Sequence, residues 1–303
     1  MHQPIRSRKA IFGASGTAIA FIALLCGNIT LAFGPWFVRM ADVGPVAAGF
    51  WRLSLAAPLL LVLARATGSR PIAEAKGLWW VLIASGVLFA GDLGTWHVGI
   101  HHTKLANATL FGNCASLIYP IYGFAVARTW PSRTQGAALL LALVGAMVLM
   151  GRSAEVSPEN LIGDLLCMIA GVLYAAYFIF MVRARATMQP LPALALSSIA
   201  AAPPLLLVAL MLGERVMPGN WTPLIILALV SQVLGQGLMT YALGRLSPLV
   251  IGLALLIQPV VAAAVGWIVY GERLGPLDLV GAVLVAIALV LVRRSSGSDR
   301  KTA

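Results

Sequence analysis

Negative charge is what this sequence has least of: ten aspartates and glutamates in 303 residues, with all charged residues together at 10%. A soluble domain carries about 25% charged residues to keep its surface wet, so a water-solvated globule is excluded. Cysteine is scarce too. Cys26, Cys114 and Cys167 lie far apart and in no metal-ligand spacing, which excludes a zinc or iron–sulfur framework and leaves them as small packing residues. HExxH, GxSxG, the P-loop and a GxGxxG following a strand are all missing, and Gly13-Ala14-Ser15-Gly16 lacks the nucleophile-elbow spacing. No catalytic residue, cofactor, metal or ATPase domain is therefore expected. Nor is any polar joint long enough to hold a soluble domain.

What is present is hydrocarbon: 60% of the residues are hydrophobic. They fall into stretches of the length a bilayer demands, since about 20 residues at 1.5 Å rise cross a ~30 Å core. The spacing predicts spans over 11–33, 45–64, 77–100, 104–127, 134–151, 161–181, 192–212, 221–243, 248–270 and 276–292. The expected fold is an all-α integral membrane protein with ten transmembrane helices. The first apolar run leads into this multi-span pattern and lacks a convincing cleavage site, so it reads as a span rather than a signal peptide.

Of the 21 lysines and arginines, Arg52 falls inside a span. Alternating the joints between two sides gives Arg39, Lys104, Arg152, Arg215 and Arg273 to one side. The remaining fifteen share the side of the N-terminus. Such a bias predicts cytoplasmic termini in a bacterial inner membrane. It also spreads the +11 net charge along the membrane rather than over one soluble face, so no nucleic-acid partner is expected.

Five spans precede the joint at 152–160 and five follow it, so the second half must cross upside down relative to the first. The expected organisation is a tail at 1–10, one five-helix repeat at 11–151, the extracytoplasmic joint, a second repeat at 161–293 and a tail at 294–303. At an offset of 143 residues, Gly94 falls on Gly237, Leu110 on Leu253, Gly123 on Gly266 and Leu141 on Leu284. Inverted repeats are a common architecture of secondary transporters, with the site near the midplane between halves.

Short motifs accompany this layout. Gly163-Asp164-Leu165-Leu166 opens the sixth span and Tyr174-Ala175-Ala176-Tyr177-Phe178 follows. Tyr241-Ala242-Leu243 closes the eighth. Pro259 and Gly271-Glu272-Arg273-Leu274 mark the ninth, and Gly281 the tenth. With these the chain resembles the drug/metabolite transporter superfamily, in particular its EamA-type members. The first half departs from the pattern at Arg128-Thr129-Trp130 and Cys26-Gly27-Asn28. His101-His102-Thr103 and the run from Asn113 to Tyr119-Pro120 are similar to the branch of bacterial amino-acid exporters that includes YddG. The resemblance implies a transporter working around a central cavity.

Polar residues inside spans are the informative minority, because a charge at span centre costs about 2.5–3.5 kcal/mol on insertion scales unless it meets a partner or water. Arg52 and Asp92 lie about seven and eight residues below the same boundary, ~10 and ~12 Å, and so share a depth. Three readings stay open: a structural ion pair, a site in which Asp92 takes an ammonium or a proton and Arg52 a carboxylate, or side chains that point elsewhere to separate partners. Trp96 is on the face of Asp92, one turn on. His97, His101 and His102 are expected in solvent at the interface, and Asp164 is expected solvated at a helix start. In span four Asn113, Ser116, Tyr119 and Pro120 suggest a polar, weakened segment, since Pro120 leaves the Ser116 carbonyl without its donor. Pro259 does the same to Leu255, beside Gln258. Gln232 and Gln236 are either helix–helix glue or part of a site, and Tyr174 and Tyr177 share a face of span six. The candidate set for substrate is Asp92, Trp96, Asn113, Tyr119, Tyr174, Tyr177, Gln236 and Gln258, with Pro120 and Pro259 as kinks or gates. The partners expected are amino acids or related metabolites, the lipid bilayer and protons as a candidate coupling ion, with a single chain sufficient. Hydrophobic cations are the alternative substrates.

Overall fold

The computed structural model describes residues 14–103, 105–151, 157–270 and 275–298, and every regular element among them is helical. The first half holds α1 (Ala14–Ala32), α2 (Gly34–Met40), α3 (Pro45–Ala66), the short α4 (Pro71–Glu74) and α5 (Trp79–Ile100), then α6 (Leu105–Gly112), α7 (Ala115–Ala127) and α8 (Arg133–Gly151). The second holds α9 (Leu161–Arg185), α10 (Pro190–Met211), α11 (Thr222–Leu227) and a π-helical segment over Ala228–Gln236. It continues with α12 (Gly237–Leu243), α13 (Pro248–Leu255), α14 (Ile257–Tyr270) and α15 (Pro276–Ser298). Seven stretches are long and apolar enough to cross a membrane. Three further apolar helices, Ala115–Ala127, Arg133–Val148 and Pro276–Val292, are shorter. One of the three has a local cause: the fourth predicted span is not one helix but α6 and α7, broken between them.

The longest helices pair across the two halves: α3 with α10, α5 with α9, α8 with α15, and α1 with α12 and the π segment. Their contact stripes are built from small residues. Gly145 of α8 is so close to α15 that an added Cβ would stand 2.9 Å from the Gly281 carbonyl oxygen.

Two glutamates fix the direction of the α3–α10 pair. Pro45 starts α3 and contributes no N–H, so the next donors need an acceptor. The carboxylate of Glu214, just beyond the end of α10, accepts from Val46 N at 3.2 Å and Ala47 N at 2.7 Å. At the opposite end Glu74, beyond the end of α3, accepts from Gln189 N at 2.9 Å where Pro190 starts α10. Each helix is thus capped at its start by a glutamate following the other's end, which makes the two antiparallel. Replacing Glu214 or Glu74 by alanine should cost about 0.5–2 kcal/mol each, read as a fall in the thermal unfolding temperature of the detergent-purified protein. An unchanged temperature for both would mean that water replaces the carboxylates without loss. Near the Glu214 cap, Gly219 N donates to Asp42 at 2.7 Å, and this bond holds the Asp42 carboxyl below the usual carboxylate range.

The helix breaks do not sit at the prolines. The fourth span breaks at Asn113–Cys114, where Cys114 N and Ser116 N turn back to Phe111 O and Asn113 O, three residues away, instead of four. The ninth breaks at Leu256, whose N–H also reaches three residues back, to Leu253 O. Positions 113 and 256 are separated by the same 143 residues that relate the two halves, and so are α6 and α13 end for end. Pro120 lies inside α7 instead. There its freed Ser116 carbonyl meets α13: a Cβ added to Gly252 would stand 2.7 Å from that oxygen and 2.4 Å from Pro120 Cγ.

Candidate functional site

Between α1, the α2 helix, α3, α5, α6, α9, the π segment and α14 lies a cavity of about 530 Å³. Its wall runs from Gln236 and Tyr174 to Arg39 and His101 at the end of the molecule that carries the α2–α3 loop. It does not extend along the seam where α7 packs on α13.

Opposite charges face this space. Asp92, on the middle of α5, lines it, and no described residue donates a hydrogen bond to its carboxylate. Arg52, on α3, lines it too. Its Nε donates to Gln232 Oε1 at 2.9 Å and its guanidinium carbon stands 5.7 Å from the Phe89 ring centroid. Arg52 and Asp92 do not form a salt bridge among the described residues, which corrects the ion-pair expectation. The reason is geometric: Gln232 reaches across from the other half and takes the Nε, and the guanidinium lies over the Phe89 ring of α5.

Three amides border the cavity. Gln236 Nε2 donates to the Tyr177 hydroxyl at 3.0 Å, while its Oε1 is buried without a hydrogen-bond partner among the described residues. Gln258 Nε2 donates to Asn28 Oδ1 at 2.8 Å, tying α14 to α1. Asn113 turns its Nδ2 back to Thr109 O at 2.8 Å, at the break. The π segment accounts for the double amide. Its wider turn puts Gln232 behind Arg52 and Gln236 on the cavity wall, a register irregularity of the kind frequent at functional sites.

Of the predicted site residues, Asp92, Trp96, Asn113, Tyr174, Gln236, Gln258 and Pro259 line the cavity. Tyr119, Tyr177 and Pro120 do not. Tyr177 is fully buried, stacked on Phe89 with centroids 4.7 Å apart, and Tyr119 packs edge-on against Phe178 at 5.3 Å. Large rings seal best when covered on both faces, and these form the floor behind the wall. His97 is 5% exposed and on the cavity wall, not in interfacial solvent, because α3 packs on it: a Cβ added to Gly49 would stand 3.8 Å from its ring. Asp164 is buried as well, accepting from Thr103 Oγ1 at 2.5 Å and Asn107 Nδ2 at 3.0 Å. Trp36, Arg39 and Phe89 line the cavity without having been singled out by the sequence. Gly34-Pro35 reads as the end of a span, yet Pro35 starts α2, and that helix brings Trp36 and Arg39 to the mouth.

Comparison with known proteins fits this arrangement. Residues 16–151 match the EamA-like transporter family, and residues 161–294 match it a second time. The chain belongs to the EamA-like transporter family. It is a protein of multiple apolar helices in the drug/metabolite transporter superfamily. It is 32% identical over 151 residues to the threonine/homoserine exporter RhtA of Escherichia coli (strain K12), covering 49% of this chain and 51% of that protein. An uncharacterized transporter of Archaeoglobus fulgidus is 27% identical over 146 residues, 46% of this chain and 48% of the relative. The chain spans about half the length of the curated relatives it matches. A crystal structure with 17% sequence identity superimposes with a TM-score of 0.74, covering 93% of this chain and 97% of the other, and shows the shared fold.

Proposed function

We propose that this EamA-like transporter exports amino acids from the cytoplasm, holding them as zwitterions between Asp92 and Arg52. The observation that carries the reading is the pair of unlike charges facing one cavity without neutralising each other. A buried charge that has no opposite charge bound to it is costly. Two such charges of opposite sign suit a ligand that brings both complements, an ammonium for Asp92 and a carboxylate for the forked Nη groups of Arg52. Gln236 Oε1 and Asn113 supply further polar contacts, and Trp96 and Tyr174 offer ring faces to the side chain, aromatic ones included. A hydrophobic cation fits less well, since Arg52 would repel it.

The proposed frame is ten spans in two inverted repeats, 11–151 and 161–293, crossing a bacterial inner membrane with both termini in the cytoplasm. It is supported by the double family match, the antiparallel α3–α10 pair and the equivalent breaks at 113 and 256. On that topology the cavity mouth is extracytoplasmic. The pairs α3–α10 and α8–α15 are their own counterparts under exchange of the halves, and α5–α9 exchanges with α1 and the π segment with α12. The seam α7–α13 has no equal between α6 and α14. Transport then consists of closing α6 on α14 while α7 parts from α13, which is alternating access in one chain. The relative named as a threonine/homoserine exporter supports outward flux of small amino acids; the narrower likeness to exporters such as YddG supports the same class.

Radiolabelled threonine, homoserine, leucine and phenylalanine should enter liposomes containing the purified protein faster than empty liposomes. Uptake that persists without a pH gradient marks a facilitator. Uptake that requires the gradient makes protons the coupling ion, with Asp92 as their carrier. No uptake of any amino acid by protein shown to be folded overturns the proposal in favour of cationic substrates.

A further inference from the structure

Gln232 has no place on the cavity wall, yet it makes two hydrogen bonds, one of them to Arg52, which does line the cavity. Its Oε1 accepts from Arg52 Nε at 2.9 Å and its Nε2 donates to Ser198 Oγ at 3.0 Å. Gln232 is 0% and Ser198 1% exposed. The contacts link α3 of the first half to the π segment and α10 of the second. Both ends of the amide are occupied, so its orientation is fixed and only the oxygen can face the arginine.

A guanidinium is a rigid plane with five donors, and fixing the Nε fixes where the remaining four point. Gln232 takes the single donor on the edge and leaves both Nη groups, the pair whose spacing matches a carboxylate. The Phe89 ring, 5.7 Å from the guanidinium carbon, limits the plane on another side. No other described residue bonds the Nη groups.

We infer that Gln232, held by Ser198, is a positioning residue that turns the Arg52 fork into the cavity and thereby sets the preference for substrates bearing a carboxylate. This rests on the reading of Arg52 as the carboxylate-binding group. It separates the two glutamines of the π segment into different roles, Gln236 toward substrate and Gln232 toward the arginine that meets it. Without Gln232 the side chain keeps its charge but gains rotamers, and the entropy of holding it in place falls on substrate binding.

The test compares L-phenylalanine with phenethylamine, and L-leucine with isopentylamine, as competitors of amino-acid uptake in proteoliposomes. Each pair differs only in the carboxylate. Gln232→Leu should weaken the amino acids by about tenfold, the scale of one lost hydrogen bond to a charged group, while moving the amines less than twofold. Ser198→Ala should shift the same ratio in the same direction by a smaller factor. Gln232→Glu, which keeps an acceptor at the same reach, should restore the ratio to near the wild-type value. A merely structural role would lower transport of acid and amine together and leave the ratio in place, and that result would overturn the inference. Arg52→Gln is the control on the underlying reading: it should remove the preference entirely. If Arg52→Gln keeps the preference, the assignment of Arg52 to the carboxylate fails; if Arg52→Gln removes it and Gln232→Leu does not, only the positioning role fails.

Discussion

Asp92→Asn should reduce amino-acid transport by one to two orders of magnitude. The carboxylate lines the cavity with no donor among the described residues, so in the proposed complex the substrate ammonium is its principal partner. A hydrogen bond with a charged partner is worth about 1.5–3 kcal/mol, which is roughly ten- to hundredfold in affinity, and low local dielectric raises that figure rather than lowering it. Asparagine keeps the size and one acceptor, so the fold should survive and the loss should appear in the apparent KM. The loss should be specific to ligands with an ammonium. The α-keto acid matched to a carried amino acid lacks that group, so its weak competition should be unchanged or improved. Uptake by Asp92→Asn at the wild-type rate, with the same dependence on a pH gradient, would remove Asp92 from both substrate binding and proton coupling.

Gly252→Val should have an effect as large by a different route. In the seam away from the cavity mouth α13 lies so close to α7 that a Cβ at 252 would stand 2.4 and 2.5 Å from the Pro120 ring and 2.7 Å from the Ser116 carbonyl oxygen. Neither a ring locked into a helix nor a backbone oxygen can step aside. Overpacking of this kind costs about 1–3 kcal/mol, comparable to the few kcal/mol that separate two conformations of a switching protein. The substitution should therefore empty the state in which α7 and α13 are closed and stop turnover. An introduced cysteine at Ser116, 3% exposed, in a background without the native cysteines, should then react with an impermeant thiol reagent from the cytoplasmic side about tenfold faster. Gly123→Ala provides a milder version, since its Cβ would meet Pro248 at 2.7 Å. Normal transport and unchanged labelling in both variants would show that the seam is not a gate. Under the 143-residue exchange, the Gly252–Pro120 contact corresponds to Thr109 against Ala263, and that is the pair expected to meet when the outer side closes.

Membrane residence, helical class and the presence of two related halves were legible in the chain because they depend on quantities that add along it. Apolar length per span, charge per joint and the 143-residue echo need no knowledge of neighbours. That Arg52 and Asp92 would come to one cavity was approachable for the same reason, since rise per residue is fixed. Most of the cavity-facing candidates followed from the rarity of polar groups at that depth.

What the sequence left open was direction around each helix and partner across the interface. Arg52 and Asp92 share a depth, yet whether they join or stand apart depends on Gln232, which lies 180 residues from Arg52 in the chain. Tyr177 and Tyr174 share a face, yet one stacks behind Phe89 while the other reaches the cavity. Pro120 and Pro259 announced weakened helices, but the breaks fell at 113–114 and 256. A proline removes one hydrogen bond, whereas the surrounding helices decide where the chain bends to recover its packing. His97 and Asp164 looked solvated by position and are buried because α3 packs on the first, and Thr103 and the start of α6 cover the second. By itself the sequence determined a helical membrane transporter with a duplicated body, since hydrophobicity and length act locally. Only the tertiary structure decided which polar groups satisfy one another and which are left facing the cavity, because a hydrogen bond requires a particular partner at a particular angle, and that partner comes from the other half of the chain.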